Sequence, residues 1–161
     1  MADWIAKLCD REKQEDAKRN HVAGINNRIA ESLKSELENC VSAYNEKHPQ
    51  QFVGTISVSA EVTTPSDQFL FAVKKNTKPA GEIAITFHFQ EAKLSAKGKG
   101  LPSGGVEYAI EPEIRDHHFV TTGNPVEAVY FVRGDRRHRV PELVQELLSP
   151  LMFPRFCAFP E

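Results

Sequence analysis

Hydrophobic positions in the first third of the chain recur every three or four residues, a period typical of an amphipathic helix. Pro49 follows this segment and cannot continue a helix. We therefore expect a core helix over residues 22–48. The residues that form its single apolar stripe are Val22, Ile25, Ile29, Leu33, Leu37, Val41 and Tyr44.

Residues 1–20 carry a different pattern. Trp4, Ile5 and Leu8 form a small apolar patch, but residues 10–20 offer only Ala17 to a core. A continuous helix over residues 2–47 would be roughly 69 Å long, whereas a compact chain of this size has a radius of gyration of about 15 Å. We expect either a break near residues 20–24 or 26–27, or a helical extension that projects from the domain.

From residue 51 the hydrophobic period changes from 3.6 to 2, which predicts strands with one apolar and one solvated face. The connections between these segments are short and contain no helix, which excludes a parallel sheet. Residues 51–133 therefore predict a curved antiparallel meander of five to seven strands. The alternating segments are 51–62, 69–73, 83–89, 92–96, 106–110, 119–120 and 126–132.

The apolar face of such a sheet has to be covered by helices. A second amphipathic segment, residues 140–149, has Pro141 at the start, where proline is favoured. The pattern predicts an α+β fold in which the long N-terminal helix packs on the sheet and a short C-terminal helix follows. The 161 residues suit a single domain that ends in an aromatic tail, residues 150–161.

The composition is that of an ordinary soluble globular chain, with 40% hydrophobic and 26% charged residues. Twenty basic against 22 acidic residues exclude a globally basic nucleic-acid binder. The cysteines at 9, 40 and 157 lack metal-ligand spacing, and no apolar run approaches the ~18 residues of a membrane span. We expect a cytoplasmic protein without cofactor, metal or membrane contact.

A basic segment precedes the C-terminal helix, and its arginines are Arg133, Arg136, Arg137 and Arg139. Guanidinium groups beside a helix N-terminus suit a phosphate, an RNA backbone or an acidic partner. The alternative is a solvated loop whose arginines pair with Glu107, Glu111 or Glu113. Nucleic-acid contact is an alternative that the sequence does not favour.

The aromatic tail places Phe153, Phe156 and Phe159 between prolines that disfavour helix or central strand. Either the tail folds back over the core, or it docks on another chain. Together with Trp4, Ile5 and Leu8, these phenylalanines are candidate partner-docking residues. The simplest partner would be a second copy of the protein.

Motifs for catalysis are missing from the sequence. Neither a nucleophile elbow nor an activated cysteine is recognisable, and the adjacent imidazoles of His117 and His118 would point to opposite faces of a strand. We therefore predict a non-catalytic interaction or adaptor module that self-associates. One alternative is phosphate or RNA contact through the basic segment. The other is a small-molecule binder or enzyme with a pocket between helix and sheet, lined by Phe69, Phe71, Phe87, Phe89 and Tyr108.

Overall fold

The computed structural model of the chain describes residues 3–47, 56–63, 68–76, 80–88, 91–120 and 128–160. Within these ranges it has three helices and nine strands. The helices are α1 (Asp3–Gly24), α2 (Asn26–Lys47) and α3 (Val140–Met152). The strands are β1 (Ile56–Thr63), β2 (Gln68–Lys75), β3 (Gly81–His88), β4 (Lys93–Gly98), β5 (Val106–Pro112), β6 (Ile114–Arg115), β7 (His118–Phe119), β8 (Val129–Arg133) and β9 (Arg136–His138).

The N-terminal helical region is divided at Ile25. Helix α1 ends at Gly24, a residue type that costs about 1 kcal/mol relative to alanine inside a helix. The Ile25 amide donates to the Val22 carbonyl at 3.1 Å, and α2 continues from the next residue. Of the two alternatives for this segment, the structure has the break, and it lies between the two expected positions. Because Val22 and Ile29 are both fully buried, the core holds the chain on each side of the break.

Seven strands form one antiparallel sheet in the order β1-β2-β3-β4-β5-β8-β9, so the predicted meander is confirmed. The small hairpin β6–β7 is inserted between β5 and β8. Its turn consists of Asp116 and His117, whose positive φ values of 51° and 65° suit a tight two-residue hairpin connection. The His21 ring of α1 stacks on Phe119 in this hairpin, with ring centroids 4.5 Å apart.

The sheet also extends beyond its predicted end at residue 133. Residues 136–138 of the basic segment form the edge strand β9, with Phe131 opposite His138 and Val132 opposite Arg137. Arginine side chains on an edge strand disfavour pairing with a further strand. The basic segment is therefore part of the sheet and not a loop.

Both α2 and α3 cover the apolar face of the sheet. Across the middle strands, Phe87 lies opposite Leu94 and Leu94 lies opposite Tyr108, and all three side chains are fully buried. Helix α3 packs against β3, β8 and β9, whereas α2 packs against β1 and α3. The shorter C-terminal helix thus covers the centre of the sheet. The sequence pattern assigned this role to the long N-terminal helix.

Helix α3 is longer than predicted. It continues to Met152, so Pro150, Leu151 and Met152 are buried helical residues instead of the start of a tail. The loop between β4 and β5 closes tightly against this end of α3. A Cβ atom at Gly100, where φ is +88°, would lie only 2.6 Å from the Pro150 Cβ, so only glycine fits there.

Lys75 stabilises the C-terminal end of α3. Its side chain is buried, and Nζ donates to the carbonyls of Leu151 and Met152 at 3.3 Å each. As the last carbonyls of the helix, they accept no hydrogen bond from a helical amide. The positive charge of Lys75 also complements the negative end of the helix dipole. Burial, with a contribution from Lys99, lowers the pKa of Lys75.

We expect Lys75→Ala to lower the free energy of unfolding by about 1–3 kcal/mol, because buried carbonyl oxygens lose their donor. The matched control is Lys74→Ala, which removes an exposed lysine from the same strand and should change stability by less than about 0.5 kcal/mol. Urea unfolding followed by circular dichroism measures both. Equal effects for the two variants would contradict the role of Lys75.

Candidate functional site

The side chains predicted to line a pocket lie in the hydrophobic core. Phe71, Phe87 and Tyr108 are buried there, and Phe69 is half-buried with its ring 6.3 Å from that of Phe71. Phe89 lies outside the described residues. The helices contribute buried side chains to the same core. These helical residues are Ile29, Leu33, Leu37, Leu143 and Leu147.

A polar cluster surrounds Glu146, which lies on α3 with only 6% of its side chain exposed. The Tyr108 hydroxyl donates to Glu146 Oε2 at 2.5 Å, and His138 Nε2 lies 3.2 Å from the same oxygen. Arg136 and Arg133 approach Oε1 at 3.4 and 3.9 Å. Burial, followed by the Glu146 carboxylate, raises the pKa of Tyr108 well above its usual range. This tyrosine therefore stays protonated and acts as a hydrogen-bond donor.

A second cluster surrounds Glu113, directly after β5. Arg139 Nη2 donates to both carboxylate oxygens at 3.2 Å and to the Tyr130 hydroxyl at 2.8 Å. Arg139 and Arg137 both lie over the Tyr130 ring, at 4.4 and 4.3 Å from its centroid. Burial raises the pKa of Glu113, but Arg139 and Arg115 outweigh it, so the net pKa is lowered.

All four arginines of the basic segment lie close to carboxylates. Arg133 and Arg136 face Glu146, Arg137 lies 3.9 Å from Glu111, and Arg139 binds Glu113. Glu111 and Glu113 were among the partners that the sequence offered. The third, Glu107, lies 3.6 Å from Lys93 instead. The exposed members of the segment are Arg136 and Arg137.

The sequence pattern did not single out Glu146. It is the one acidic residue within an apolar run of α3, flanked by Leu143, Val144, Leu147 and Leu148. A carboxylate in such a run is a signal for a buried partner, because an unpaired buried charge is strongly unfavourable. The sequence does not indicate that this partner is Tyr108, 38 residues earlier.

The N-terminal end of α1 extends away from the core. Every side chain from residue 3 to residue 17 is exposed, and we call this segment the N-terminal arm. Trp4, Ile5 and Leu8, the arm patch, are 65%, 46% and 54% exposed. Beyond the arm, Val22 is buried and α1 packs against β5.

The three tail phenylalanines differ in their environments. Phe159 is buried beneath Arg133, whose guanidinium lies 4.7 Å from the ring centroid and donates to the Pro160 carbonyl at 2.7 Å. Phe153 is partly exposed, with its ring 5.6 Å from that of Tyr44. Phe156 is 86% exposed. The tail therefore folds back through Phe159 and leaves Phe156 in solvent.

A groove with a volume of about 640 Å³ lies between α2 and α3. Its charged lining residues are Glu36, Lys47 and Glu142. The sequence pattern did not reveal this α2–α3 groove, because its apolar residues follow the same period as core positions. Burial, followed by Glu36, raises the pKa of the Cys40 thiol, which makes it a poor nucleophile. The uncharged residues of the lining are Cys40, Ala43, Tyr44, Pro141, Val144, Gln145, Leu148, Ser149, Met152, Phe153 and Cys157.

Among the residues that the structure describes, no three His, Cys, Asp or Glu side chains are arranged to hold a metal ion. None of the described helices combines the length and apolar character that crossing a membrane requires.

We expect Glu113→Gln to lower the free energy of unfolding by about 1–2 kcal/mol at pH 7, because the pair with Arg139 loses its charge. The lowered pKa means that the ionised carboxylate stabilises the fold at pH values above its ordinary pKa of 4.5. This stabilisation declines as the pH falls through the lower pKa of the folded state. The difference between variant and wild type should therefore shrink below about pH 4.5.

Urea unfolding at several pH values measures this difference. Glu107→Gln is the control, since it removes an exposed carboxylate from the same sheet and should have a smaller effect. A destabilisation by Glu113→Gln that is constant from pH 7 to pH 3 would contradict the assigned charge pairing.

No protein-family model matches the chain, and no match is found among the curated proteins or the solved structures.

Proposed function

We propose that this protein is a non-catalytic protein-interaction module that associates with a second copy of itself through the N-terminal arm. The observation that carries this proposal is the exposure of the arm patch. Trp4, Ile5 and Leu8 are all about half exposed or more, and they lie within two turns of one helix. Contiguous apolar surface of this kind is typical of interaction sites.

The arm patch has the chemistry of an interface anchor. Residues 4 and 8 lie one above the other on the helix, and residue 5 adjoins them, so the three side chains form one surface. Tryptophan is enriched among the residues that contribute most to binding energy, and its burial removes a large apolar area from water. Trp4 is the only tryptophan of the chain.

The arm is also a pre-ordered element. Its 15 residues extend roughly 22 Å as a helix, and its base is held by the burial of Val22 and the contact between His21 and Phe119. An element that is already helical loses less conformational entropy on binding than a disordered segment. This favours a role as a binding arm.

Two features support a non-catalytic module that binds itself. The carboxylates of Glu113 and Glu146 accept hydrogen bonds from arginine and tyrosine, which makes them unsuited to act as general bases. Symmetric dimers are the commonest oligomers of soluble proteins, and in such a dimer both chains contribute the same patch to the interface.

We expect the wild-type chain to form dimers as its concentration is raised towards about 1 mM, and Leu8→Glu to weaken this association by at least tenfold. Leu8 is exposed, so the variant should keep the stability of the folded monomer within about 0.5 kcal/mol. Sedimentation velocity across a concentration series gives the dissociation constant.

The matched control is Ala6→Glu, which adds the same charge to the same turns but on the opposite face of α1. It should dimerise like the wild type. A wild-type chain that stays monomeric at all concentrations would overturn the proposed self-association.

A further inference from the structure

We infer that the N-terminal arms of two copies pair antiparallel, in a contact confined to the first two turns of each arm. The inference rests on the proposed function and specifies the direction in which the second copy is bound. The two protein bodies then lie at opposite ends of the pair. A two-fold axis relates the copies, so each arm patch covers the other.

The arm patch is followed by acidic residues on the same face of α1. Relative to Leu8, Glu12 lies one turn further along and about 40° round the helix, and Glu15 lies two turns further and about 20° round. Trp4 and Ile5 lie at similar angles to Leu8, about 40° and 60°. Both glutamate side chains are exposed. One face of the arm is therefore apolar near residue 3 and acidic towards the protein body.

This acidic segment disfavours a parallel pair. Two parallel arms in register place identical residues opposite one another, so Glu12 and Glu15 would each face their own counterpart. Like charges that face each other across a contact oppose association. Lys18 lies 3.9 Å from Glu15 within the same chain, but both side chains are substantially exposed, and such pairs contribute little.

Charges at the flanks of this face do not reverse that preference. Arg11 and Asp16 lie about 60° and 80° from Leu8, on opposite sides of it, and could form an ion pair between parallel arms. Asp16 already lies 4.0 Å from Arg19 of its own chain. A flanking pair would stay in solvent, where ion pairs contribute little, whereas the facing glutamates would lie at the centre of the contact.

An antiparallel pair keeps the glutamates apart. When Trp4 lies opposite residue 8 of the second arm, the contact covers residues 3–9 of each arm, and Glu12 and Glu15 lie beyond it. The contact then consists of the arm patch of each copy, whose side chains are 65%, 46% and 54% exposed in the single chain. A longer antiparallel overlap would place the patch on the glutamates of the second arm.

The size of this contact makes the dimer weak. Two turns of each helix bury much less than the roughly 800 Å² per partner of a standard protein interface. Trp4 contributes most of the apolar area, since tryptophan is the largest of the three side chains. A dimer of this kind forms at high concentration and dissociates readily on dilution.

Distances between spin labels distinguish the two directions. Ala6 and Ala17 are exposed and lie on the face of α1 opposite Leu8, so a nitroxide amino acid at either position leaves the patch free. In the antiparallel pair, labels at position 6 lie at one level, whereas labels at position 17 are separated by about 33 Å along the helix axis. We expect the distance at position 17 to exceed that at position 6 by at least about 10 Å.

Equal distances at positions 6 and 17 would show a parallel pair and overturn the antiparallel direction. Dilution with unlabelled chain is the control for both measurements. It should remove the distance signal, because the two labels belong to different copies.

Removal of the acidic charges provides a second test. Glu12 and Glu15 lie outside the antiparallel contact, so we expect Glu12→Gln and Glu15→Gln each to change the dissociation constant by less than about twofold. Asp10→Asn, on the opposite face of the arm, is the matched control for the change in net charge. A dimer that either glutamine variant tightens well beyond this control would overturn the antiparallel direction, because facing glutamates would then have been opposing association.

The outcomes separate the two proposals. If Leu8→Glu abolishes dimerisation but the distances at positions 6 and 17 are equal, self-association through the arm stands and the antiparallel direction fails. If the wild-type chain is monomeric throughout the concentration series, the proposed function fails, and the direction fails with it. Loss of dimers in Leu8→Glu, together with the longer distance at position 17, supports both proposals.

Discussion

The structure depends on the need to cover one apolar face of a seven-stranded antiparallel sheet. Burial of this face removes Phe87, Leu94 and Tyr108 from water, and apolar burial is the dominant favourable contribution to folding. Helices α2 and α3 provide the cover. Because α3 lies over the middle of the sheet, it brings Glu146 to Tyr108 and its C-terminal carbonyls to Lys75. The main buried polar contacts thus follow from the position of one helix.

The same arrangement creates a groove on the surface of the protein. Two helices that pack side by side on a sheet form a groove between them on the side facing away from the sheet, and here this is the α2–α3 groove. The apolar side chains in the first turns of α1 lie in solvent.

Periodic signals in the sequence predicted the helices and strands well, but they did not predict most of the long-range contacts. The change of period at residue 51 predicted the meander, and the length of the helical segment left open a break or a projecting extension; the structure has a break at Ile25. The helix predicted to end at residue 149 continues through Pro150 to Met152. Lys75 and Leu151 are 76 residues apart, and their contact depends on which helix lies over which strand. The groove was missed for the same reason, since helical spacing does not distinguish residues facing the sheet from residues facing a second helix.

Fluorescence of Trp4, the only tryptophan of the chain, tests the central claim most directly. In the isolated chain the indole is largely exposed, so dilute protein should show the emission maximum of a solvated tryptophan and strong quenching by iodide. If the arm patch docks on a second copy, the emission should shift to shorter wavelength and quenching should weaken as concentration rises. Emission and quenching that stay those of a solvated indole at every concentration, in a chain that sediments as a dimer, would contradict this account.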